Sequence, residues 1–404
     1  MRSQEMAPPA HAAPPAQATP ETREAIPEAR QVSASVRQTL PARPEAPADS
    51  SPEDRRPANK PRLRVLDGLR LLAALAVVAW HLIAAPTAGW AEAGVRDFGP
   101  FAAVAKYGWL GVELFFLISG FVICLSSWGR RVGDFAASRV MRLYPAYWLA
   151  VLASAAVLAL FGTREVTWPQ TAANLTMLQN PLGVADVDPS YWTLAVELRF
   201  YLLFAIVVAL GVTYRRVVYF CVIWLAVSVF VSGQPWLAWL ISAENVPYFV
   251  AGMALFLVHR FGGTPLLWGI VTASWLIALY RVDSHVTAAL GEHGPDEWIP
   301  AALIVTGFFA LMSLIAAGFG SRISWPWLVT AGALTYPLYL LHQSLGVTVI
   351  GGLRGHVPGW LILIALVAGL LGLAWLVHRY IERPVAAWLK RAAASSLVAM
   401  RTAR

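Results

Sequence analysis

The sequence predicts an all-α fold, a polytopic membrane protein with about ten transmembrane helices. Of its 404 residues, 58% are hydrophobic and only 13% are charged, whereas a soluble domain carries about 25% charged residues. The mean hydropathy is +0.58. Long apolar segments recur along the chain, and a segment in lipid satisfies its backbone hydrogen bonds by forming a helix. The fold class therefore follows from composition and from the length of the apolar segments.

Ten apolar segments are long enough, or nearly long enough, to cross a hydrocarbon layer of about 30 Å, which takes about 17–25 helical residues. The fifth, sixth and seventh segments carry the weakest signal, because they are short and contain Gly or Pro. In chain order the segments are Leu66–Ala85, Ala105–Trp128, Pro145–Gly162, Tyr191–Val212, Val217–Val231, Ile241–Val258, Thr264–Tyr280, Trp298–Phe319, Trp327–Ile350 and Gly359–Val377.

The first 61 residues differ in composition from the rest, with 12 of the 27 prolines and almost no aromatic residues. Such a segment buries too little apolar surface to offset the entropy lost on ordering, and it lacks the continuous apolar core of a signal peptide. We expect residues 1–61 to be a disordered, Pro/Ala-rich cytoplasmic tail, and we favour an inert tail over a partner-binding arm. Residues 62–390 then form the transmembrane domain, and residues 391–404 form a cytoplasmic C-terminal tail.

Lysine and arginine are unevenly divided between the two sides of the predicted bundle. When alternate connections are counted, seventeen lie on the side of the two termini and five on the other side. Because cytoplasmic loops carry an excess of positive residues, we expect a multi-pass protein of the cytoplasmic (inner) membrane with both termini in the cytoplasm. The net charge of +8 is spread between apolar segments, which argues against a nucleic-acid partner.

An imidazole lies deep in the first apolar segment. His81 follows Arg70 by eleven positions, so the two side chains fall within about 20° of each other around the helix and about 16 Å apart along its axis. An ionisable group at membrane depth costs about 2.5–3.5 kcal/mol or more, which favours a functional role. The alternative is that Arg70 extends to the headgroups while His81 is a hydrogen-bonded packing residue.

Three further ionisable side chains are predicted at a depth similar to that of His81. Glu113, Glu197 and His342 lie on three other segments, each about 8–12 Å below the outer surface at about 1.5 Å per residue. Four ionisable groups in one layer favour a buried site over isolated packing residues. Arg199 is an alternative counter-ion for Glu197, although side chains two positions apart on a helix do not face each other.

Two arginines precede the third apolar segment. Arg139 and Arg142 are three positions apart and are therefore neighbours on one helical face. Two guanidinium groups on one face suit bidentate binding of phosphate. The alternative, which the spacing alone favours, is that they mark the cytoplasmic side and contact lipid headgroups.

Six short motifs stand out on these segments. They are Leu-Asp-Gly-Leu-Arg at 66–70, Gly-Val-Glu-Leu-Phe-Phe at 111–116, Arg-Val-Met-Arg-Leu-Tyr-Pro at 139–145, Trp-Thr-Leu-Ala-Val-Glu at 192–197, Thr-Tyr-Pro-Leu-Tyr-Leu-Leu-His at 335–342 and Ile-Glu-Arg-Pro at 381–384. In this order, on ten apolar segments, they resemble the membrane-bound acyltransferase 3 family. The resemblance covers residues 64–388.

The resemblance implies an O-acyltransferase that acylates extracytoplasmic glycans or small glycosylated metabolites. It implies acyl-coenzyme A, most simply acetyl-CoA, as a cytosolic co-substrate, with no tightly bound cofactor, and no metal site is expected. By matching position, His81 corresponds to the family's essential histidine and Arg70 to its paired arginine. Arg139 and Arg142 correspond to its cytosolic arginine pair.

The acceptor side is the less determined part of this resemblance. Leu198 and Arg199 follow the fourth motif where many members carry an acidic or polar pair, which leaves the acceptor contacts open. The acceptor-site candidates are His342, Trp192 and Tyr201. Exposed Trp and Tyr at a membrane surface are also expected in any membrane protein, as an aromatic belt.

Ester formation needs a base near the attacking hydroxyl and stabilisation of the developing oxyanion. A neutral imidazole is a base near pH 7, and a carboxylate partner would hold its tautomer. Our hypothesis is that His81 either removes the acceptor proton or carries the acyl group transiently, with Glu197 or Glu113 orienting it. The three arginines would hold the phosphates of coenzyme A.

Two other functional classes are open on the sequence. In a proton-coupled secondary transporter the same buried groups would form a proton relay, but such folds often show inverted repeats and paired broken helices, which are not clear in this sequence. An inactive scaffold or sensor gives no reason to keep four ionisable groups in lipid. The sequence leaves open the acyl chain length, the acceptor, and the choice between direct and covalent transfer.

Overall fold

The computed structural model of the protein describes residues 63–90, 98–162, 164–291 and 295–388. The chain within these ranges is helical, and its β-structure is limited to a bridge between Arg354 and Val357. The predicted tails, residues 1–61 and 391–404, lie outside the described residues. The all-α prediction is confirmed.

The described residues form thirteen α-helices. Their bounds are α1 Arg64–Ala79, α2 Pro100–Ala105, α3 Gly111–Ser127, α4 Val132–Phe161, α5 Trp168–Leu175, α6 Trp192–Leu210, α7 Tyr214–Phe230, α8 Pro235–Leu240, α9 Val246–Phe261, α10 Pro265–Leu290, α11 Pro295–Ala316, α12 Trp327–Leu353 and α13 Gly359–Val377. Two of the helices continue as π-helical turns, Trp80–Ala84 after α1 and His378–Glu382 after α13.

Each of the ten predicted apolar segments forms a helix. Three of these helices, α7, α9 and α12, with 17, 16 and 27 residues, lie outside the seven stretches that meet the length and hydropathy limits for a membrane span. Within the described ranges, seven stretches are long and apolar enough to cross a membrane, namely Arg64–Ala84, Pro100–Ser127, Val132–Phe161, Pro189–Leu210, Pro265–Leu290, Pro295–Ala316 and Gly359–Trp388. The protein is therefore a polytopic membrane protein, as predicted.

The helix α4 begins well before its predicted start at Pro145. It begins at Val132, so the arginine pair lies on the helix and not in the connection before it. Proline removes a backbone donor and normally interrupts a helix, but neighbouring helices in a membrane bundle can satisfy the freed carbonyls. Close to the proline, the hydroxyl of Tyr336 donates to the carbonyl oxygen of Leu143 at 2.9 Å.

The helix α10 continues ten residues beyond its predicted end at Tyr280. The apolar pattern stops there because a polar run follows. These polar side chains have partners inside the bundle: Arg281 Nη2 donates to the carbonyl oxygen of Ser228 at 2.8 Å, and His285 Nδ1 lies 3.2 Å from Glu113 Oε1. The helix therefore continues through the polar run.

The helix α9 runs through the middle of the bundle, and every residue from 246 to 258 is buried. It crosses α3 at a contact that two glycines make possible. A Cβ atom on Gly120 would lie 2.1 Å from the carbonyl oxygen of Phe249, and one on Gly252 would lie 2.1 Å from that of Leu117. Small residues let helix backbones approach this closely in membranes. The crossing fixes the position of α3.

The helix α1 packs against both α3 and α12. It lies so close to α3 that a Cβ atom on Gly111 would be 2.5 Å from the carbonyl oxygen of Ala73. Its last turn is π-helical, a feature that is frequent at functional sites. We name the two ends of the bundle after this helix: the Arg64 end, where α1 begins, and the Ala84 end, where the π-helical turn finishes.

Candidate active site

Two histidine rings meet where the π-helical turn after α1 packs against α12. Nδ1 of His81 lies 3.0 Å from Nε2 of His342, and the ring centroids are 5.0 Å apart. Nδ1 of His81 also lies 3.1 Å from the carbonyl oxygen of Val77. On the other ring, Nδ1 of His342 lies 2.6 Å from the carbonyl oxygen of Tyr339.

These contacts determine the hydrogen positions when both rings are neutral. A carbonyl oxygen only accepts hydrogen bonds, so Nδ1 of His342 carries its hydrogen and Nε2 keeps a lone pair. That lone pair accepts the hydrogen on Nδ1 of His81. The lone pair of His81 is consequently on Nε2, the nitrogen left for acid-base chemistry. His342 thus contacts Nδ1 of His81, the ring nitrogen that a buried carboxylate contacts in a Ser-His-Asp triad.

A buried aspartate supports α12 beside this histidine pair. Asp188 Oδ1 accepts hydrogen bonds from the backbone N–H of Ser190 at 2.9 Å and from its hydroxyl at 2.6 Å. Asp188 Oδ2 accepts one from the backbone N–H of Ser344 at 2.9 Å. The carboxylate therefore joins the turn before α6 to the part of α12 that carries His342. The sequence analysis missed it, because an aspartate before a proline is typical of a turn.

Glu197 makes its hydrogen bonds with neighbours other than His81. Its Oε1 accepts hydrogen bonds from Ser119 Oγ at 3.1 Å and from the hydroxyl of Tyr201. The alternative counter-ion Arg199 lies instead over the ring of Trp239. The predicted orienting role of Glu197 toward His81 is thus corrected, because His342 occupies Nδ1 of His81 while the Glu197 carboxylate accepts from Ser119 and Tyr201.

Glu113 belongs to a charged cluster that the sequence analysis missed, so it does not orient His81 either. Glu113 Oε1 lies 3.2 Å from Nδ1 of His285, and Nε2 of the same ring lies 3.6 Å from Glu244 Oε2. Arg281 Nε lies 3.7 Å from that oxygen. Glu244 stands in the turn before α9, and its hydrogen bond with His285 holds the pKa of the carboxyl below its ordinary value. The i, i+4 spacing of Arg281 and His285 was the available signal.

A narrow cavity of about 90 Å³ lies inside the bundle between α1, α3, α4, α6 and α12. Arg70 and Arg142 line it from one side and Glu197 from another. The structure thus brings together two of the arginines that the sequence analysis singled out. The remaining lining residues are Val112, Phe115, Phe116, Ser119, Thr193, Leu194, Gly332, Thr335, Tyr336 and Tyr339.

A second cavity, of about 290 Å³, adjoins this central cavity toward the Arg64 end. The two share Arg70, Arg142, Gly332 and Tyr336. Both arginines therefore stand at the junction between the two cavities. The other charged or ionisable residues that line this second cavity are Asp67, His378, Glu382 and Arg383.

A third cavity, of about 530 Å³, lies at the Ala84 end and includes His81 in its lining. It shares Val112 and Tyr339 with the central cavity. Its aromatic and ionisable lining otherwise consists of Trp80, Trp109, Trp192, Trp239, Arg199, Glu244 and His285. The three cavities form a series along the bundle. Arg70 and Arg142 stand at the junction between the first two cavities, and His81 lines the third.

Arg139 lies apart from this series, which corrects its predicted pairing with Arg142. Its Nη2 donates to Ser126 Oγ at 2.5 Å, and its guanidinium lies 5.3 Å from the ring centroid of Tyr201. It lines none of the three cavities. Spacing predicted a shared helical face, but a long side chain can turn toward a neighbouring helix, in this case α3.

Two of the three acceptor-site candidates lie outside the cavity at the Ala84 end. His342 has no exposed surface and is packed behind His81. Tyr201 is 5% exposed and donates to Glu197. Trp192 is the candidate that lines this cavity. The acceptor roles of His342 and Tyr201 stay predictions, and their side chains contact other protein groups.

Comparisons with known proteins give a consistent result. The sequence profile of the acyltransferase 3 family, described as "Acyltransferase domain", matches residues 63–379. Acyltransferase MdmB from Streptomyces mycarofaciens is 26% identical over 372 residues, which cover 80% of this chain and 91% of that protein. Exopolysaccharide production protein ExoZ from Rhizobium meliloti is 29% identical over 296 residues, which cover 69% of this chain and 89% of that protein. No solved structure matches the chain.

Proposed function

Since the chain belongs to the acyltransferase 3 family, we propose that it transfers an acyl group from acyl-coenzyme A to a hydroxyl group of a carbohydrate. The observation that carries the proposal is the series of cavities that joins Arg70 and Arg142 to His81. The names of the two relatives support acyl transfer and a carbohydrate acceptor, because one is an acyltransferase and the other takes part in exopolysaccharide production.

Coenzyme A binds, in this proposal, from the cytoplasm at the Arg64 end. The guanidinium groups of Arg70 and Arg142 suit its phosphates. The thin pantetheine arm extends through the central cavity, whose volume of about 90 Å³ excludes a nucleotide. This brings the thioester to the junction at Val112 and Tyr339. The excess of positive residues in the connections at the Arg64 end supports this orientation.

The acceptor hydroxyl meets Nε2 of His81 at the Ala84 end. This nitrogen takes the hydroxyl proton while the hydroxyl oxygen attacks the thioester carbonyl carbon. The tetrahedral intermediate collapses as the C–S bond breaks, and the coenzyme A thiolate leaves with the proton that His81 returns. The products are an ester and the free thiol of coenzyme A. The lone pair on His342 holds the tautomer and stabilises the imidazolium.

A covalent route would use the same lone pair of His81 as a nucleophile and form an acyl-imidazole. The two routes differ in what remains on the protein without an acceptor. Radiolabelled acetyl-CoA leaves label on the protein in the covalent route, whereas direct transfer leaves none. Label that is absent from a His81→Ala protein identifies the attachment site.

A short acyl group and a sugar acceptor fit the dimensions of the cavities best. The narrow central cavity favours acetyl over longer acyl chains, because the acyl group must pass it with the pantetheine arm. The cavity at the Ala84 end is about 530 Å³ in volume, which is in the range of small-molecule sites. The faces of Trp192 and Trp239 suit stacking on sugar rings.

Purified protein in liposomes tests the proposal, with radiolabelled acetyl-CoA as donor and a bacterial exopolysaccharide as acceptor. We expect transfer that requires both, and a loss of about 10²–10⁴-fold in His81→Ala. His259→Ala is the matched control, because its Nδ1 also lies near a carbonyl oxygen, that of Ala316 at 3.2 Å, but it lines none of the three cavities. Wild-type turnover in His81→Ala, or proton-coupled uptake without any dependence on coenzyme A, would contradict the proposal.

A further inference from the structure

The cavity at the Ala84 end contains an arginine that forms no ion pair with any carboxylate among the described residues. Arg199, on α6, lines this cavity, and its guanidinium carbon lies 4.4 Å from the ring centroid of Trp239. Within the part of the chain that the structure describes, its Nε and Nη1 are buried and have no hydrogen-bond partner. A buried guanidinium is stable only when its donors are satisfied. A partner for these two nitrogens therefore comes from outside the described residues, as water or as a bound ligand.

The charged groups Glu244 and His285, which also line this cavity, already have partners in a cluster with Glu113 and Arg281. Arg281 donates to the carbonyl oxygen of Ala243 at 2.5 Å, and its Nε lies 3.7 Å from Glu244 Oε2. His285 lies between Glu113 and that same carboxylate. The cluster thus balances its own charge. No carboxylate of the cluster is in contact with Arg199.

Glu197 does not serve as the counter-ion either, although it lies two positions earlier on α6. Its carboxylate accepts hydrogen bonds from Ser119 and Tyr201, and it lines the central cavity. An arginine that extends to lipid headgroups exposes its guanidinium to them. The buried Nε and Nη1 of Arg199 do not fit that role.

We propose that the acceptor carries an anionic group, a carboxylate or a phosphate, that pairs with Arg199; this inference rests on the proposed function. Either anion offers two oxygens to the guanidinium fork, and stacking on Trp239 holds that fork in place. His81 lines the same cavity, so an acceptor held by Arg199 shares that cavity with the base. A neutral sugar leaves the guanidinium unpaired, and the cavity discriminates against it for that reason.

Three sugar probes test this inference by binding, without any need for turnover. They are methyl β-D-glucoside, methyl β-D-glucuronide and glucose 1-phosphate, which present a neutral ring, a carboxylate and a phosphate. Dissociation constants are measured by calorimetric titration of the full-length protein in a neutral detergent. We expect at least one anionic probe to bind about tenfold or more tightly than the glucoside, the scale of one charge-assisted hydrogen bond.

The variant Arg199→Gln removes the charge and is expected to abolish this preference, so that all three probes bind equally. Arg260→Gln is the matched control, because Arg260 also stacks on a tryptophan, with its guanidinium 4.7 Å from the ring centroid of Trp128, yet it lines none of the three cavities. The identity of the preferred anionic probe distinguishes a sugar acid from a phosphate-linked acceptor.

Equal binding of all three probes to the wild-type protein would overturn the inference, and so would a preference that survives Arg199→Gln. Neither result affects the proposed function, which depends on the acetyl-CoA requirement and on His81. If instead the anionic preference is found but no acetyl transfer occurs with any acceptor, the anion site stands and the proposed function fails. The two claims are thus tested separately.

Discussion

The cavities at the two ends of the bundle have different linings. The cavity at the Arg64 end has a volume of about 290 Å³ and presents Arg70 and Arg142 among other ionisable groups. The cavity at the Ala84 end has about 530 Å³ and presents four tryptophans, His81 and a charged cluster that is already paired. The first suits the phosphates of a nucleotide, and the second suits the rings of a sugar.

A narrow central cavity of about 90 Å³ separates the two. It shares Arg70 and Arg142 with the cavity at the Arg64 end. With the cavity at the Ala84 end it shares only Val112 and Tyr339. The comparison teaches that the two cavities are lined by separate sets of side chains, which in the proposed function recognise the donor and the acceptor separately. Donor affinity and acceptor affinity should therefore respond to different substitutions, and the shared junction should affect transfer alone.

The largest effect is expected at that junction. In Val112→Trp a bulky ring should close the passage without changing either arginine, so we expect acetyl-CoA binding to stay within about twofold and transfer to fall by about 100-fold or more. Calorimetry and a radiolabel transfer assay measure the two quantities. Val112→Ala is the control for packing, and thermal unfolding of each variant reports folding. Full transfer in a folded Val112→Trp protein would show that the acyl group takes another path.

The next effect concerns the donor alone. We expect Arg70→Gln and Arg142→Gln to raise the KM for acetyl-CoA by about 10- to 100-fold with little change in the acceptor KM, because each loses charge-assisted hydrogen bonds to phosphate. Arg139→Gln should have a smaller effect, since Arg139 donates to Ser126 and lines none of the three cavities. Steady-state kinetics separates the two KM values.

The exposed Arg215, which contacts Tyr219 on α7, provides the control variant Arg215→Gln for a change in charge alone. A KM for acetyl-CoA that changes equally in all four arginine variants would remove the distinction between the two ends, because a general electrostatic effect would then explain it.

A third effect concerns the histidine pair. His342→Leu removes one of the two acceptors near Nδ1 of His81 and leaves the carbonyl oxygen of Val77, and we expect kcat to fall by about tenfold with both KM values unchanged. His342→Gln keeps an oxygen that can accept this hydrogen bond, so it should retain most of the activity. Equal losses in the two variants would mean that His342 acts through packing and not through the tautomer of His81.

The smallest effect concerns the charged cluster at the Ala84 end. Because His285 lowers the pKa of Glu244, this carboxyl stabilises the fold above its unfolded pKa of about 4.3, and the contribution is lost as the pH falls through the folded pKa. The effect is small, since the Glu244 side chain is 61% exposed.

The melting temperature of Glu244→Gln should therefore lie slightly below that of the wild type near pH 6, and the difference should vanish below about pH 4. Glu165→Gln, at an exposed position on another connection, is the control. A difference between Glu244→Gln and the wild type that grows on acidification would contradict the assigned ion pair.

More of the fold than of the candidate site could be predicted from the sequence. Apolar length alone indicated every long helix, because lipid leaves a chain segment no other way to satisfy its backbone. The boundaries at Pro145 and Tyr280 were wrong for a common reason. A proline or a polar run looks like a helix end along the chain, but neighbouring helices supply hydrogen-bond partners that one segment does not reveal.

In the candidate site, too, features within one segment could be predicted, whereas contacts between segments could not. The prediction of a common face for Arg70 and His81 used helical periodicity, which is a property of one segment. The contact between His81 and His342 depends on how α1 packs against α12, and no spacing within either segment encodes it. Asp188 and His285 were missed for the same reason, since their partners belong to other elements.

The most direct test of the central claim is a structure of the protein with a non-hydrolysable thioether analogue of acetyl-CoA. We expect the phosphates beside Arg70 and Arg142 and the pantetheine arm in the central cavity. The carbon that replaces the thioester carbonyl should lie within about 6 Å of His81 Nε2, the sum of a hydrogen bond and an attack distance. An analogue bound at the Ala84 end, or one that ends short of Val112 and Tyr339, would contradict the account.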